Sequence, residues 1–482
     1  MTKSWQLKSV GIDIGTTTSQ VIFSNLEVIN RASASQIPSY EFSKREITYV
    51  SEAIATPIDF EGHLHEHQLK QFILAQYANA GINLDEIDSG AIIITGESSK
   101  ARNARLAIMQ LAESLGDFIV ATAGPHLESV IAGQGSGAYA YSKTHNARVL
   151  NIDIGGGTSN YVVFEAGRIV ATACLNVGGH LIELDAFGKI KNLHKPAALI
   201  AHALFGEINP TDLSIPRIIE ITATMAQLVY ESAIGGTHLQ ELSKALLMSA
   251  PLFNEAEYKP YDVVFISGGV GLCFYEKQLP TFDKFNDIGP LLAHCLRNNK
   301  EFMQLNLKEP KQTLRATVIG AGAYTLSLSG STIWLDLNNL PLRNIPVIHA
   351  LLDDEHADNN INNLADAWQL AGMRMDLDLN QDLYALYLPK SIATSYSSVL
   401  ECITAITTFA QNNNNSNHPL LILCVQDMGK ILGLLLKKYI PNRAFAVIDE
   451  IQTHAGDYID IGQTLKGSEI LPVTIKSLAF PS

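Results

Sequence analysis

Two short segments of the chain share one order of residue types. Val10 to Ser19 reads VGIDIGTTTS and Asn151 to Asn160 reads NIDIGGGTSN, so each apolar run ends in an Asp followed by a Gly- and Thr-rich turn. Such a turn lets backbone N–H groups approach phosphate oxygens without a Cβ clash, and the Thr hydroxyls add donors. The candidate phosphate-binding residues are Gly15, Thr16, Thr17, Thr18, Gly155, Gly156, Gly157 and Thr158.

The Asp that closes each apolar run requires a separate explanation. Carboxylates repel phosphate, so Asp13 and Asp153 make chemical sense beside phosphate only with a divalent cation or a water between them. They are therefore candidates for binding hydrated Mg²⁺ or for orienting an attacking water. A single Asp-x-Gly after a strand is usually only a hairpin turn, but two copies in the same setting favour a shared function.

A third glycine-rich word follows another buried strand. Ile266 to Gly271 reads ISGGVG, and a Gly-Gly turn there would allow an adenine ring to lie flat against the backbone. The candidate adenosine-binding residues are Gly268, Gly269, Val270 and Gly271.

These motifs need strands, hairpins and helices to position them. Each Asp-Gly word reads as strand, tight turn and returning strand, and opens a run of hairpins. Glu128–Ser142 is rich in Ala and Gly, which favours a helix packed closely against another helix, and Thr317–Leu328 is a second helix of this kind. The expected divisions are a first lobe over 1–148, a second over 149–315, a connecting helix over 316–332 and a C-terminal α/β domain over 333–482, where Asn-rich segments begin.

Composition limits the class of protein. The chain has 482 residues, 47% of them apolar and 17% charged, so a large folded core is expected. A formal net charge of −14 argues against nucleic-acid binding. The segment MTKSWQLKSV lacks a signal-peptide apolar run, and no stretch approaches the length of a membrane span. Five scattered cysteines suggest reduced core thiols, as in a cytoplasmic protein.

The order of these motifs resembles the actin/Hsp70/sugar-kinase superfamily: phosphate hairpin, connecting helix, second phosphate hairpin, adenosine turn, second connecting helix. The resemblance implies an α/β fold with two duplicated ribonuclease-H-like lobes and ATP or ADP in the cleft between them. In the Hsp70-like branch an acidic residue opening the first connecting helix touches metal-bound water, and Glu128 matches that place. Asp13 and Asp153 would then also reach Mg²⁺ through water. The alternative for Glu128 is a helix-start carboxylate favoured by the helix dipole.

Five further segments resemble the family of ethanolamine ammonia-lyase reactivating factors. They are TGESSKARNA (95–104), GDFIVATAGPHLES (116–129), NVGGHLIELD (176–185), VQDMGKILG (425–433) and the closing run from Gly456 to Phe480. Glu97, within the first, either lines the cleft or caps the following helix. His180 departs from the pattern, which has a basic residue such as Arg.

The resemblance implies a chaperone-like ATPase. It would use ATP and Mg²⁺ to release damaged cobalamin from ethanolamine ammonia-lyase so that intact adenosylcobalamin can bind, without binding cobalamin itself. The family also suggests association with a bacterial microcompartment, and a homodimer is left open.

Three other functions remain as alternatives. A small-molecule kinase on the same fold would need a carboxylate base facing the γ-phosphate. An electron-feeding activator of radical dehydratases would need bridging cysteines for an iron–sulfur cluster, which the five cysteines do not offer. A filament-forming actin relative would need self-complementary surfaces.

Overall fold

The protein was analysed as a computed structural model. The structure describes residues 4–15, 18–30, 40–57, 63–95, 110–112, 115, 118–123, 125–185, 189–207, 209, 213–253, 259–277, 286–310, 323–328, 333–337, 340–350, 364–415, 417–462 and 472–477.

The first lobe is built on a mixed sheet in the spatial order β3-β2-β1-β5-β6, with a short β4 beside β2. Its strands are β1 (Ser4–Ile14), β2 (Thr18–Asn30), β3 (Tyr40–Val50), β4 (Ile54–Ala55), β5 (Ser89–Thr95) and β6 (Phe118–Ala123). Helix α1 (Glu66–Ala80) covers the sheet through Leu69, Ile73 and Tyr77, which join a core that includes Ile12 and Phe23.

The connecting segment forms two helices, α2 (Pro125–Gly135) and α3 (Ala138–His145). The single helix predicted over Glu128–Ser142 is therefore wrong in detail, because Gly137 adopts a φ of 87° and breaks it. Helix α2 contacts the neighbouring helix α3, but it packs most extensively on a sheet, which was not predicted. A Cβ at Gly133 would lie 2.5 Å from Val162 Cγ1.

That sheet belongs to the second lobe and has the order β12-β7-β8-β9. Its strands are β7 (Arg148–Ile154), β8 (Ser159–Glu165), β9 (Arg168–Leu175) and β12 (Val263–Ser267), and a two-stranded ribbon of β10 (Ile182–Leu184) and β11 (Ile190–Leu193) follows β9. The helices of this lobe are α4 (Lys195–Phe205), α5 (Ile215–Ile234), α6 (Glu241–Leu246), α7 (Gly268–Tyr275) and α8 (Gly289–Asn298). All seven residues of β7 are buried, as expected for a central strand.

The two sheets repeat one topology. In the first, β1 runs antiparallel to β2, β2 antiparallel to β3, and β5 joins the other side of β1 in parallel. In the second, β7, β8, β9 and β12 take the corresponding places with the same strand directions. The duplicated α/β core predicted from the sequence is confirmed by this repetition.

The C-terminal domain contains a further mixed sheet, in the order β13-β20-β19-β15-β16-β17-β18-β14. Its strands are β13 (Ala323–Leu328), β14 (Trp334–Asp336), β15 (Leu342–His349), β16 (Ala385–Tyr387), β17 (Leu420–Leu423), β18 (Phe445–Ile448), β19 (Asp457–Ile461) and β20 (Pro472–Ser477). Helices α9 (Leu364–Arg374), α10 (Tyr396–Asn412) and α11 (Gly429–Tyr439) contribute Trp368, Ile403 and Leu432 to one of its cores.

The second connecting helix predicted over Thr317–Leu328 is wrong for Ala323–Leu328, which form strand β13. This strand pairs antiparallel with β20 of the C-terminal sheet instead of returning to the first lobe. The sequence AYTLSL alternates between polar and apolar residues from Tyr324 on, a period that favours a strand. Residues 316–322 lie outside the described part of the chain.

All five cysteines lie in the described part of the chain and are buried, which confirms the prediction that they are core residues. Burial raises the pKa of Cys295 to about 11 and that of Cys402 to about 12, so both stay protonated and unreactive. A search of the described helices finds none with the length and apolar character needed to cross a bilayer.

Candidate nucleotide-binding site

The two Asp-Gly turns are closed by the same hydrogen bond. The amide of Gly15 donates to the carbonyl of Thr18 at 2.9 Å, and the amide of Gly155 donates to the carbonyl of Thr158 at 2.9 Å. The two turns, one in each lobe, are therefore closed by equivalent hydrogen bonds. Thr16 and Thr17 lie outside the described residues.

The second turn is held from behind by the loop that follows β9. The amides of Gly179 and His180 donate to the carbonyls of Gly155 and Gly156 at 2.9 and 2.7 Å. Within the stretch 125–185, which the structure describes throughout, the amides of Gly156 and Gly157 donate to no protein acceptor. Gly155–Thr158 are half-buried, whereas the strand residues on either side of the turn, Ile154 and Ser159, are buried. Two accessible amides in a fixed turn form a suitable nest for a phosphate oxygen.

Asp153 is fully buried at the end of β7 and belongs to a polar chain. The Ser267 hydroxyl donates to Asp153 Oδ1 at 2.7 Å, and the Asn151 side-chain amide donates to Ser267 Oγ at 3.0 Å. Burial raises the pKa of Asp153 to about 7, the Ser267 hydrogen bond opposes this, and the charge of Asp13 raises it further. The two motif aspartates, from different sheets, are therefore close enough to interact electrostatically.

Glu128 lies in the first turn of α2 and is only 4% exposed. Helix α2 packs against β7, β8 and β9. Asp153 lies in β7 and Asn160 lies in β8. Asp153 and Asn160 are directly paired neighbours in the antiparallel ladder, so their side chains share one face of the sheet.

The oxygen atoms around Asp153 are of the kind that Mg²⁺ prefers, but the described residues hold no cluster of three or more His, Cys, Asp or Glu side chains arranged to bind a metal ion directly. Asn160 is 1% exposed, and its Oδ1 has no hydrogen-bond partner among the residues that the structure describes. A buried amide oxygen beside the Asp153 carboxylate offers the hard oxygen ligands or water acceptors that Mg²⁺ prefers. Asp13, Asp153 and Glu128 are the residues that would hold the ion through water.

The candidate adenosine-binding motif, Ile266–Gly271, contains the beginning of a helix. The prediction that its glycines form a free turn is therefore wrong. Helix α7 begins at Gly268, which has a φ of 85° and whose Cβ position would clash with the carbonyl oxygen of Ile154. Gly269 is exposed with open space beside it, whereas Gly271 is buried. The Val270 side chain is 3% exposed and packs in the core, so it can contribute only backbone atoms to a ligand site.

His180, at the position where the family pattern has a basic residue, lies beside a carboxylate. Its Nδ1 lies 3.1 Å from Asp287 Oδ2, and this hydrogen bond raises the pKa of His180. Asp287 Oδ1 also accepts the amide of Gly289. His180 therefore connects the second phosphate turn to the start of α8.

The structure thus brings Asp13, Asp153, Gly155–Thr158, Gly268 and Gly269 into one region, and places Glu128 on the helix that packs over it.

Sequence reasoning missed Ser267, Asn151, Asn160 and Thr56. The Thr56 hydroxyl donates to the carbonyl of Gly15 at 2.7 Å. Of these four residues, Ser267 and Asn151 could have been found from the sequence, because each is a polar residue in an otherwise largely apolar strand. Glu97 lies outside the described part of the chain.

The family model described as "Ethanolamine utilisation protein EutA" matches residues 5–481. The chain belongs to the EutA family. A relative from Salmonella typhimurium named "Ethanolamine ammonia-lyase reactivase EutA" is 51% identical over 478 residues, 99% of each chain. A relative of the same name from Escherichia coli K12 is 52% identical over 478 residues, again 99% of each chain.

The solved structures that resemble this EutA-family chain are less similar to it in sequence. An Aquifex aeolicus PPX-GPPA enzyme is 17% identical, covers 66% of this chain and 100% of its own, and has a TM-score of 0.38. The ethanolamine utilization protein EutJ from Carboxydothermus hydrogenoformans is 14% identical, covers 64% of this chain and 87% of its own, and has a TM-score of 0.30.

Proposed function

We propose that the protein is an ATP- and Mg²⁺-dependent reactivating factor for ethanolamine ammonia-lyase, which releases damaged cobalamin so that intact adenosylcobalamin can bind. Membership of the EutA family and full-length relatives named as reactivases support the partner. The observation that carries the nucleotide part is the pair of identically closed turns, with the amides of Gly156 and Gly157 available to a phosphate.

Each element of the site has a task in this proposal. The Gly155–Thr158 turn and the Gly15–Thr18 turn hold the phosphate tail from opposite lobes, and the exposed Gly269 at the start of α7 gives the adenine a flat surface. Asp13, Asp153 and Glu128 would hold Mg²⁺ through water, and the ion would supply positive charge to the phosphates.

Hydrolysis needs an oriented water. The carboxylates of Asp153 and Glu128 accept its hydrogen bonds and direct its oxygen toward the γ-phosphorus, while the bond to the β–γ bridging oxygen breaks. The chain of Asn151 and Ser267 holds Asp153 in one orientation. The products are ADP and inorganic phosphate, and the proton lost by the attacking water passes to the new phosphate or to solvent.

The coupling to the partner follows from the two-lobed architecture. A nucleotide held by turns in separate sheets favours closure of the lobes, and closure changes the surface offered to the lyase. Such a switch acts only through different affinities for the lyase in the two states. The damaged cofactor leaves from the lyase, and this chain need not bind cobalamin. We expect it to act in the cytoplasm or with a microcompartment.

The test is reactivation of lyase that has been blocked with an inactive cobalamin. We would add ATP, Mg²⁺ and adenosylcobalamin with wild-type protein or with Asp153→Asn, and follow lyase activity and inorganic phosphate. Recovery of activity and release of phosphate only with wild type supports the proposal. Phosphate transfer to a small molecule with no recovery would instead support the kinase alternative.

A further inference from the structure

The C-terminal domain contacts the first turn of the helix that carries Glu128. Asp376, just after the end of α9, accepts the amide of Leu127 at its Oδ2 at 3.0 Å, and the amide of His126 also bonds to it. The first amides of a helix have no partner within the helix, so a carboxylate there acts as an N-cap. In α2 this cap comes from a residue 249 positions along the chain.

The capping carboxylate is held rigidly. The amide of Leu377 donates to the carbonyl of Gly372, and that of Met375 to the carbonyl of Ala371, each at 3.1 Å, so the chain turns tightly at the end of α9. Asp376 has a φ of 56°, a left-handed conformation that Asp tolerates better than most residues. The position of Asp376 is therefore fixed by the end of α9.

Two neighbouring contacts fix the same helix end against the second lobe. The Arg374 guanidinium donates to the carbonyl of Val170 at 3.3 Å, and His126 Nδ1 lies 2.8 Å from Thr172 Oγ1. Both Val170 and Thr172 lie in β9. The end of α9, the beginning of α2 and the strand β9 therefore form one junction.

Glu128 lies in the same helical turn as the two capped amides. A shift of the α2 N-terminus would move the Glu128 carboxylate relative to Asp153, and a displacement of about 1 Å at a catalytic group can change a rate about 100-fold. We propose that Asp376 is a positioning residue for Glu128, so that the seating of the C-terminal domain on α2 controls nucleotide hydrolysis. This inference rests on the function proposed above for Glu128.

The test uses variants of the full chain in which the substituted positions have the same left-handed backbone conformation. Asp376→Gly removes the carboxylate without straining the left-handed φ, and Asp376→Asn keeps an acceptor oxygen there. Glu450→Gly is the control, because Glu450 is an exposed acidic residue of the same domain with a φ of 59°. We would measure the Kd and KM for MgATP, kcat, and amide hydrogen exchange of α2.

For Asp376→Gly we expect kcat to fall about tenfold, equivalent to about 1.4 kcal/mol in the barrier, with Kd and KM within about twofold of wild type. Exchange in the first turn of α2 should rise. Asp376→Asn should recover much of the rate, and Glu450→Gly should match wild type.

The inference is overturned if Asp376→Gly keeps the wild-type kcat, if its Kd rises in proportion to the loss of rate, or if Asp376→Asn is as impaired as Asp376→Gly. A wild-type protein that neither binds nor hydrolyses ATP would overturn the proposed function instead. Hydrogen exchange of α2 would still show separately whether Asp376 holds that helix.

Discussion

At the scale of single residues, we expect the burial of the Asp153 carboxyl group to lower the stability of the folded protein at neutral pH. Its pKa is raised by burial from an ordinary value of 3.8 to about 7. The folded protein therefore binds this proton more tightly than the unfolded chain, and stability is lost as the pH rises from about 4 to about 7. A single such group changes stability by up to about 1.4 kcal/mol per pH unit.

We therefore expect Asp153→Asn, without nucleotide and in EDTA, to melt at a higher temperature than wild type at pH 8, with a difference that shrinks toward pH 5. Ser267→Ala is the matched variant. It removes a hydrogen bond that lowers this pKa, so its loss of stability should extend to higher pH. The measurement is Tm between pH 5 and pH 8. Parallel curves for wild type and Asp153→Asn would contradict the prediction.

The site residues proposed from the sequence lie within short contiguous motifs. Asp153 and Gly155 are positioned by a strand and a turn that are contiguous in sequence, so their spacing alone is informative. Ser267 reaches Asp153 across 114 residues and Asp376 reaches Leu127 across 249, and both depend on which strands and domains become neighbours. A single sequence has no local signal for such pairs.

At the scale of elements, the close packing of α2 on the second sheet depends on Gly133. A Cβ there would lie 2.5 Å from Val162 Cγ1 and 2.6 Å from Phe164 Cε2. We expect Gly133→Ala to destabilise the protein by about 1–3 kcal/mol through overpacking, offset by up to about 1 kcal/mol from the better helix propensity of Ala. The measurement is the free energy of unfolding in urea.

Two variants provide controls for this prediction. Adding Val162→Ala should recover part of the loss, because it removes the atom that the new methyl group meets. Gly269→Ala makes the same substitution in α7, where nothing lies within 4 Å, and should leave the free energy of unfolding nearly unchanged. If Gly133→Ala were as stable as wild type, α2 would not pack this closely on the sheet.

The elements also show where composition misleads. Small residues suggested helices over both Glu128–Ser142 and Thr317–Leu328. The first suggestion largely holds, since Ala and Gly do allow close approach, although to a sheet. In the second, the polar–apolar alternation of Tyr324–Leu328 and the availability of β20 as a partner favour a strand. Local propensity was overridden by a pairing with residues almost 150 positions later, as the register Leu328 with Pro472 shows.

At the scale of the whole molecule, the two candidate phosphate turns lie in separate sheets with separate cores, so a nucleotide that contacts both turns would link the two lobes. A ligand that contacts only one turn would stabilise one lobe. A ligand held by both must stabilise both, and at 100 times its Kd it adds about 2.7 kcal/mol to the stability of the state that binds it.

We therefore expect a non-hydrolysable ATP analogue with Mg²⁺ to slow amide hydrogen exchange in β1 and β2 as well as in β7 and β8. The comparison within the same molecule is β17 and β18 of the C-terminal sheet, which carry none of the candidate phosphate-binding residues and should change less. Exchange with the analogue in EDTA separates the contribution of the metal. Protection confined to β7 and β8 would show that the ligand engages the second turn alone, and the two-sided clamp would then be wrong.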